Sequence, residues 1–149
     1  MKGENKMGNT NQDFMKESNN RRKLAKQLIW EKQIESIARQ KLMDMGVKIH
    51  ILGFNFLKTG IVIVLDEERK NPGDIKMMAL YEAIGKKYNA TPVTVERAIR
   101  HIHETRDLRK YFNVPYKISN KALLLLLANE VKESFYQIND LKEYEITPQ

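Results

Sequence analysis

The 149-residue chain contains no cysteine, which excludes disulfides and thiolate metal sites and fits a reducing cytoplasm. No apolar run approaches the roughly 20 residues of a membrane span. The opening Met-Lys-Gly-Glu-Asn-Lys leads into no apolar h-region, so no secretory signal is expected. Internal repeats are lacking, as are a Gly-rich phosphate loop, a serine nucleophile elbow and a metalloprotease motif. Histidine is scarce. His50 stands alone, and His101 and His103, two apart on a helix, diverge by about 200° and cannot share a metal. No paired carboxylates or nucleophile–base arrangement stands out, and Asp66, Glu67 and Glu68 read as a solvated helix end. The expectation is a cytoplasmic protein that is not an enzyme and carries no cofactor and no metal. Trp30, the single tryptophan, is expected to pack on a core.

What the chain does have is positive charge. Its 26 Lys and Arg against 19 Asp and Glu give a net +7, which favours an anionic partner such as nucleic acid. The 42% hydrophobic content can support a core, and the length suits one domain with an appendage.

The stretch 74–104 carries the most information and reads as helix, tight turn, helix. Asp74 is expected to cap the first helix, with Ile75, Met78, Ala79 and Ile84 forming its apolar side. Asn89 suits the left-handed residue that closes it. Gly85, one turn earlier, would let a second helix cross closely. Thr91-Pro92 is a start signal, a hydroxyl cap followed by a proline whose missing N–H costs nothing at the first helical position. At about 100° per residue, Val95, Ala98, Ile99 and Ile102 fall on one side of the second helix, and Thr94, Arg97, Arg100, His101 and Glu104 on the other. An apolar seat beneath a row of long polar side chains is what a major-groove reading helix requires. The short turn is the helix-turn-helix signature.

The rest of the chain is read around this pair. Residues 1–20 are polar and are expected to be a disordered tail. A helix is expected from about 21 to 45, opened by Arg21, Arg22 and Lys23, with Leu24, Leu28, Ile34, Ile37, Ala38, Leu42 and Met45 at loose helical spacing and Gly46 as C-cap. The run Ile61–Leu65 suits a buried strand by composition. No partner strand is evident, however, and a lone strand leaves its backbone unsatisfied. Phe54, Leu57, Ile61, Val64 and Leu65 also fit a helix over 51–68, which is the reading adopted. Asn71-Pro72-Gly73 is a turn, and residues 111–116 with Pro115 a loop. Ser119 or Asn120 caps a last helix, where the run Leu123–Leu127, continued by Ala128, Val131 and Phe135, predicts burial all round. Residues 139–149 read as a polar tail, which leaves 21–138 as one helical domain.

Several residue runs resemble a known family. Leu80-Tyr81, Ile84, Lys86-Lys87-Tyr88-Asn89, Thr91 and Val95-Glu96-Arg97-Ala98-Ile99-Arg100-His101, with Glu104, are similar to the DNA-binding effector domain of the stage-zero sporulation protein A family of response regulators. Upstream, Gly46-Val47, His50-Ile51, Gly53, Leu57 and Ile61 keep that domain's spacing, with an insertion in the 66–73 loop. Downstream the likeness runs through Ser119-Asn120 and the apolar helix, so that it covers about residues 33–135. The resemblance implies an all-α bundle of five to six helices with a central helix-turn-helix, and a cytoplasmic transcription regulator that binds double-stranded DNA at boxes resembling TGTCGAA. Under it, Thr94, Glu96, Arg97 and Arg100 face bases, and Lys86, Lys87, Thr91 and His101 lie on phosphate. A carboxylate can accept from cytosine N4, and arginine can donate two bonds to guanine.

The chain departs from the family in three places. It shows no phosphorylated receiver domain in residues 1–45, it has Thr94 where arginine is usual, and its segment between Glu104 and Ser119 is shorter. RNA polymerase is a further expected partner, and a homodimer through the leucine-rich helix 120–137 is a further expected assembly. The alternative is a protein-interaction module that keeps the fold but binds RNA polymerase or a sporulation regulator instead of DNA.

Overall fold

The computed structural model describes residues 2–49 and 51–146, with side chains over 10–49 and 51–140. Six helices and no strand occur among them: α1 (Lys2–Asp44), α2 (Leu52–Lys70), α3 (Met77–Tyr88), α4 (Pro92–Thr105), α5 (Leu108–Phe112) and α6 (Asn120–Ile146). The all-α class is as expected. No described helix is long and apolar enough to cross a membrane. The chain divides into two compact units, Met1–Gln33 and Ile34–Gln149.

The first unit is helical throughout its described residues, so residues 2–20 of the expected disordered tail over 1–20 are corrected to helix, and residue 1 lies outside the described residues. The polar composition does keep its side chains in water: residues 10–17 are all exposed. Leu24, Leu28 and Ile29 are exposed as well, so the apolar pattern expected to start at Leu24 is not a buried stripe here. Trp30 is half-buried rather than enclosed.

In the second unit, Ile34, Ala38 and Leu42 of α1 and Met45 just after it are buried. The helix ends as a glycine there dictates. Gly46 adopts φ +80°, its N–H donates to the Met43 carbonyl at 2.9 Å, and the Val47 N–H reaches the Leu42 carbonyl at 3.0 Å. Those two bonds, with Leu42 and Val47 both buried, are the Schellman arrangement that satisfies the last carbonyls.

The element that could have been strand or helix is α2, and it is the centre of this unit. Phe54, Phe56, Leu57 and Ile61 are sealed from water, and α2 packs against α3, α4 and α6. Each such side chain contributes about 1.5–3 kcal/mol by leaving water. Its polar groups are also paired: Thr59 and Tyr88 share a 2.6 Å hydrogen bond between hydroxyls, tying α2 to the end of α3.

Five expectations need correcting here. Helix α3 begins at Met77 with Lys76 at its N-cap and no side-chain cap bond. Asp74 instead accepts a hydrogen bond from Lys121 at 2.9 Å. The buried side of α3 is Leu80, Tyr81, Ile84 and Gly85, whereas Met78 and Ala79 are exposed and Ile75 is half-buried. On α6, Leu123, Leu124 and Leu127 are buried, but Leu125 is 41% exposed, so the leucine run is not covered all round. Ser119 caps α6, its hydroxyl accepting from the Ala122 N–H at 3.1 Å. The polar tail expected from residue 139 is helical up to Ile146, and residues 147–149 lie outside the described residues. Helix α5 was not expected, and its residues 111–112 correct the start of the loop expected over 111–116. Its Leu108 is buried and Asn113 closes it in the left-handed conformation.

Candidate nucleic-acid interface

The candidate interface is built by α3, a short turn and α4. Asn89 takes φ 54° and ψ 45°, the left-handed conformation, and closes α3 with its N–H on the Gly85 carbonyl. Ala90 N–H also reaches the Gly85 carbonyl, at 2.9 Å. Gly85 is required for a different reason from the one its position suggested. A Cβ there would collide with the Ala90 carbonyl of the returning turn, not with a crossing helix. The turn then meets the start signal as expected. Thr91 is extended, its hydroxyl accepts from the Thr94 N–H at 3.2 Å, and Pro92 occupies the first turn of α4.

Helix α4 sits on its apolar side. Val95, Ile99 and Ile102 are buried, and Ala98 is half-buried. Gly53 of α2 makes the seat close. A Cβ at Gly53 would lie 2.6 Å from Ile102 Cδ1 and 2.8 Å from the Ala98 carbonyl oxygen.

The other side of α4 faces outward. Thr94, Arg97, Arg100, His101 and Glu104 are all exposed, and Glu96 is half-buried at the edge. Arg100 lies between two carboxylates, with Nη1 3.2 Å from Glu96 and Nε 3.5 Å from Glu104. The Thr94 hydroxyl lies 2.8 Å from that of Thr91, so Thr91 already serves the helix cap. Lys86 and Lys87 are exposed at the end of α3, and Lys87 makes a 3.6 Å ion pair with Glu35 of α1. The outward residues therefore share one face of α4. The two lysines and Thr91 stand on the preceding helix and turn, and His50 lies outside the described residues.

Sequence reasoning missed the group that fastens this face from behind. Asn120, the first residue of α6, donates from Nδ2 to the Tyr81 hydroxyl at 3.1 Å and to the Glu96 backbone carbonyl at 3.1 Å. Its Oδ1 is hydrogen-bonded to His103 Nε2, so the ring nitrogen is the donor. One amide thereby joins α3, two positions of α4 and the start of α6. Burial raises the Tyr81 phenol above its ordinary pKa, and the hydrogen bond from Asn120 works against that rise. The only sequence signal was an asparagine beside the Ser119 cap, which read as an alternative cap.

Residues 38–130 match the family described as sporulation initiation factor Spo0A C terminal. No solved structure matches the chain. The match spans more than half of the sequence, and the family is a DNA-binding domain of sporulation regulators. The all-α fold agrees with it. The chain belongs to the Spo0A C-terminal family.

Proposed function

We propose that this chain is a sequence-specific transcriptional regulator that reads the major groove of double-stranded DNA with α4. The observation that carries the reading is the outward pair Arg97 and Arg100, with Glu96 half-buried at the edge, on a helix whose opposite side is seated on α2 through Val95, Ile99 and Ile102. A helix supported in this way can enter a groove about 12 Å wide without losing its own packing. Arg97 and Arg100 offer paired donors to guanine, Glu96 an acceptor for cytosine N4, and Thr94 a short hydroxyl to either base type. Lys86, Lys87, Thr91 and His101 supply phosphate contacts that set register without reading sequence.

The test is binding of a duplex carrying a TGTCGAA-like box against a scrambled duplex. Arg97→Ala is expected to cost about 1–3 kcal/mol on the box and to relax its preference. Lys86→Ala is expected to weaken both duplexes alike and to flatten the salt slope by about one unit. Equal binding of both duplexes by wild type and Arg97→Ala would overturn the reading.

One feature favours a protein partner as a second reading. Leu125, Tyr136 and Ile138 leave α6 with exposed apolar surface, which could meet RNA polymerase, a sporulation regulator, or a second copy through helix 120–137. A variant with Lys86, Lys87, Arg97 and Arg100 all replaced by alanine separates the two readings. A DNA-independent partner is still bound by it, whereas a partner reached through DNA is lost.

A further inference from the structure

We propose that Glu104 is a specificity-determining residue, acting by holding Arg100 away from the phosphates of arbitrary DNA. The proposal rests on the reading of α4 as the DNA-contacting helix. Its own basis is the geometry around Arg100. The guanidinium is bracketed along the helix by Glu96 one turn before, at 3.2 Å, and Glu104 one turn after, at 3.5 Å. Two arginines and two glutamates stand on or beside the outward face, so its formal charge is zero, histidine counted neutral. In a chain of net +7, the surface that would lie deepest in the groove is thus its neutral part.

Helix stability does not explain Glu104. It lies in the last turn of α4, which ends at Thr105, where a carboxylate opposes the partial negative charge of the helix end. It also follows its arginine in sequence, the less favourable order for a pair of this spacing. The pair is solvent-exposed, with side chains 46% and 52% accessible, so it adds little to folding. What the pair does is occupy a guanidinium that a phosphate would otherwise take.

The consequence differs between duplexes. On arbitrary DNA, binding is almost wholly charge neutralisation of phosphates. There, Glu104 acts through Arg100 alone, by keeping the guanidinium paired and so withheld from phosphate. On a matching box, Glu96 can turn to a base donor and Arg100 can exchange a weak exposed pair for two directed bonds to a base. Glu104 therefore penalises unspecific contact more than specific contact, and the ratio between them widens.

The test measures wild type, Glu104→Gln, Arg100→Ala and the double variant on a box duplex and a scrambled duplex, by fluorescence anisotropy over a salt series. Glu104→Gln is expected to bind the scrambled duplex several-fold tighter, with a salt slope steeper by about 0.9, the value of one added phosphate contact. Its box-to-scrambled ratio falls below that of wild type. In the Arg100→Ala background the same substitution leaves the ratio unchanged. The melting temperature of Glu104→Gln stays at or slightly above the wild-type value, as removal of a carboxylate from a helix end requires. If wild type discriminates between the duplexes but Glu104→Gln keeps the wild-type ratio, this inference alone is overturned. It is likewise overturned if the ratio falls by as much with Arg100 replaced, because the effect would then be plain charge removal. If wild type shows no discrimination, the DNA-reading assignment fails first and this inference with it.

Discussion

At the scale of single residues, the turn between α3 and α4 places the tightest demands. Thr91→Ala removes the oxygen that accepts from the Thr94 N–H and is expected to cost about 1 kcal/mol of stability, measured by urea unfolding. Gly85→Ala drives a methyl into the Ala90 carbonyl and is expected to cost about 1–3 kcal/mol by overpacking. Asn120→Ala leaves the Tyr81 hydroxyl, the Glu96 carbonyl and His103 without the partner that joins them, with an expected loss of about 1–3 kcal/mol. Thr91 and Pro92 were legible in the sequence because a cap acts on residues three positions away, so the signal is local. Asn120 was not, because its partners lie 17 to 39 positions away and no spacing rule connects them. Gly85 was noticed for its position, but its partner is backbone, which carries no residue-type signal.

At the scale of elements, α4 was the most readable, whereas α3 was read as a helix with most of its buried side misplaced. Along α4 each position has one role, so the buried and exposed sides separate cleanly. Along α3, of the expected side Ile75, Met78, Ala79 and Ile84, only Ile84 packs. The buried side runs Leu80, Tyr81, Ile84 and Gly85; Met78 and Ala79 lie within the helix on its exposed side, and Ile75 falls outside it because the chain stays extended at Lys76. Asp74 is thereby free to pair with Lys121, as Lys132 pairs with Glu68 at 2.9 Å, and both pairs tie α6 to the segment around the 66–74 turn. The hydrogen bond from Lys121 lowers the Asp74 pKa. Stability from that pair is present above the unfolded value near 3.9 and is lost as pH falls through the lower folded value. The hydrogen bond to Glu68 raises the Lys132 pKa. Its contribution is present below about 10.4 and is lost as pH rises through the higher folded value. Thermal unfolding across pH is expected to show Asp74→Asn losing part of the acid-side dependence and Lys132→Met part of the alkaline-side dependence. Helix α5 escaped the sequence because its five residues give periodicity too little length to register.

At the scale of the whole molecule, the division falls between Gln33 and Ile34, later than the 20/21 division expected from composition. A composition that forbids burial does not forbid a helix, since backbone hydrogen bonds form within the segment itself. Among the described residues of α1 and its cap, the buried ones, Ile34, Ala38, Leu42 and Met45, all belong to the second unit. A fragment beginning at Ile34 is therefore expected to unfold in one transition at the same urea midpoint as the full chain. A fragment beginning at Gly46 loses all four, at about 2–5 kcal/mol for each large aliphatic group, and is expected to be unfolded. The enclosure of α2 by α3, α4 and α6 has a kinetic corollary. In deuterated solvent, the amides around Phe56, Leu57 and Ile61 should be the last to take up label, exchanging only when the unit opens as a whole. Those of residues 10–33 should label early. Because α4 rests on that slow centre at Gly53, a duplex that engages its outer side meets a platform whose clock is set by the slowest-opening part of the protein.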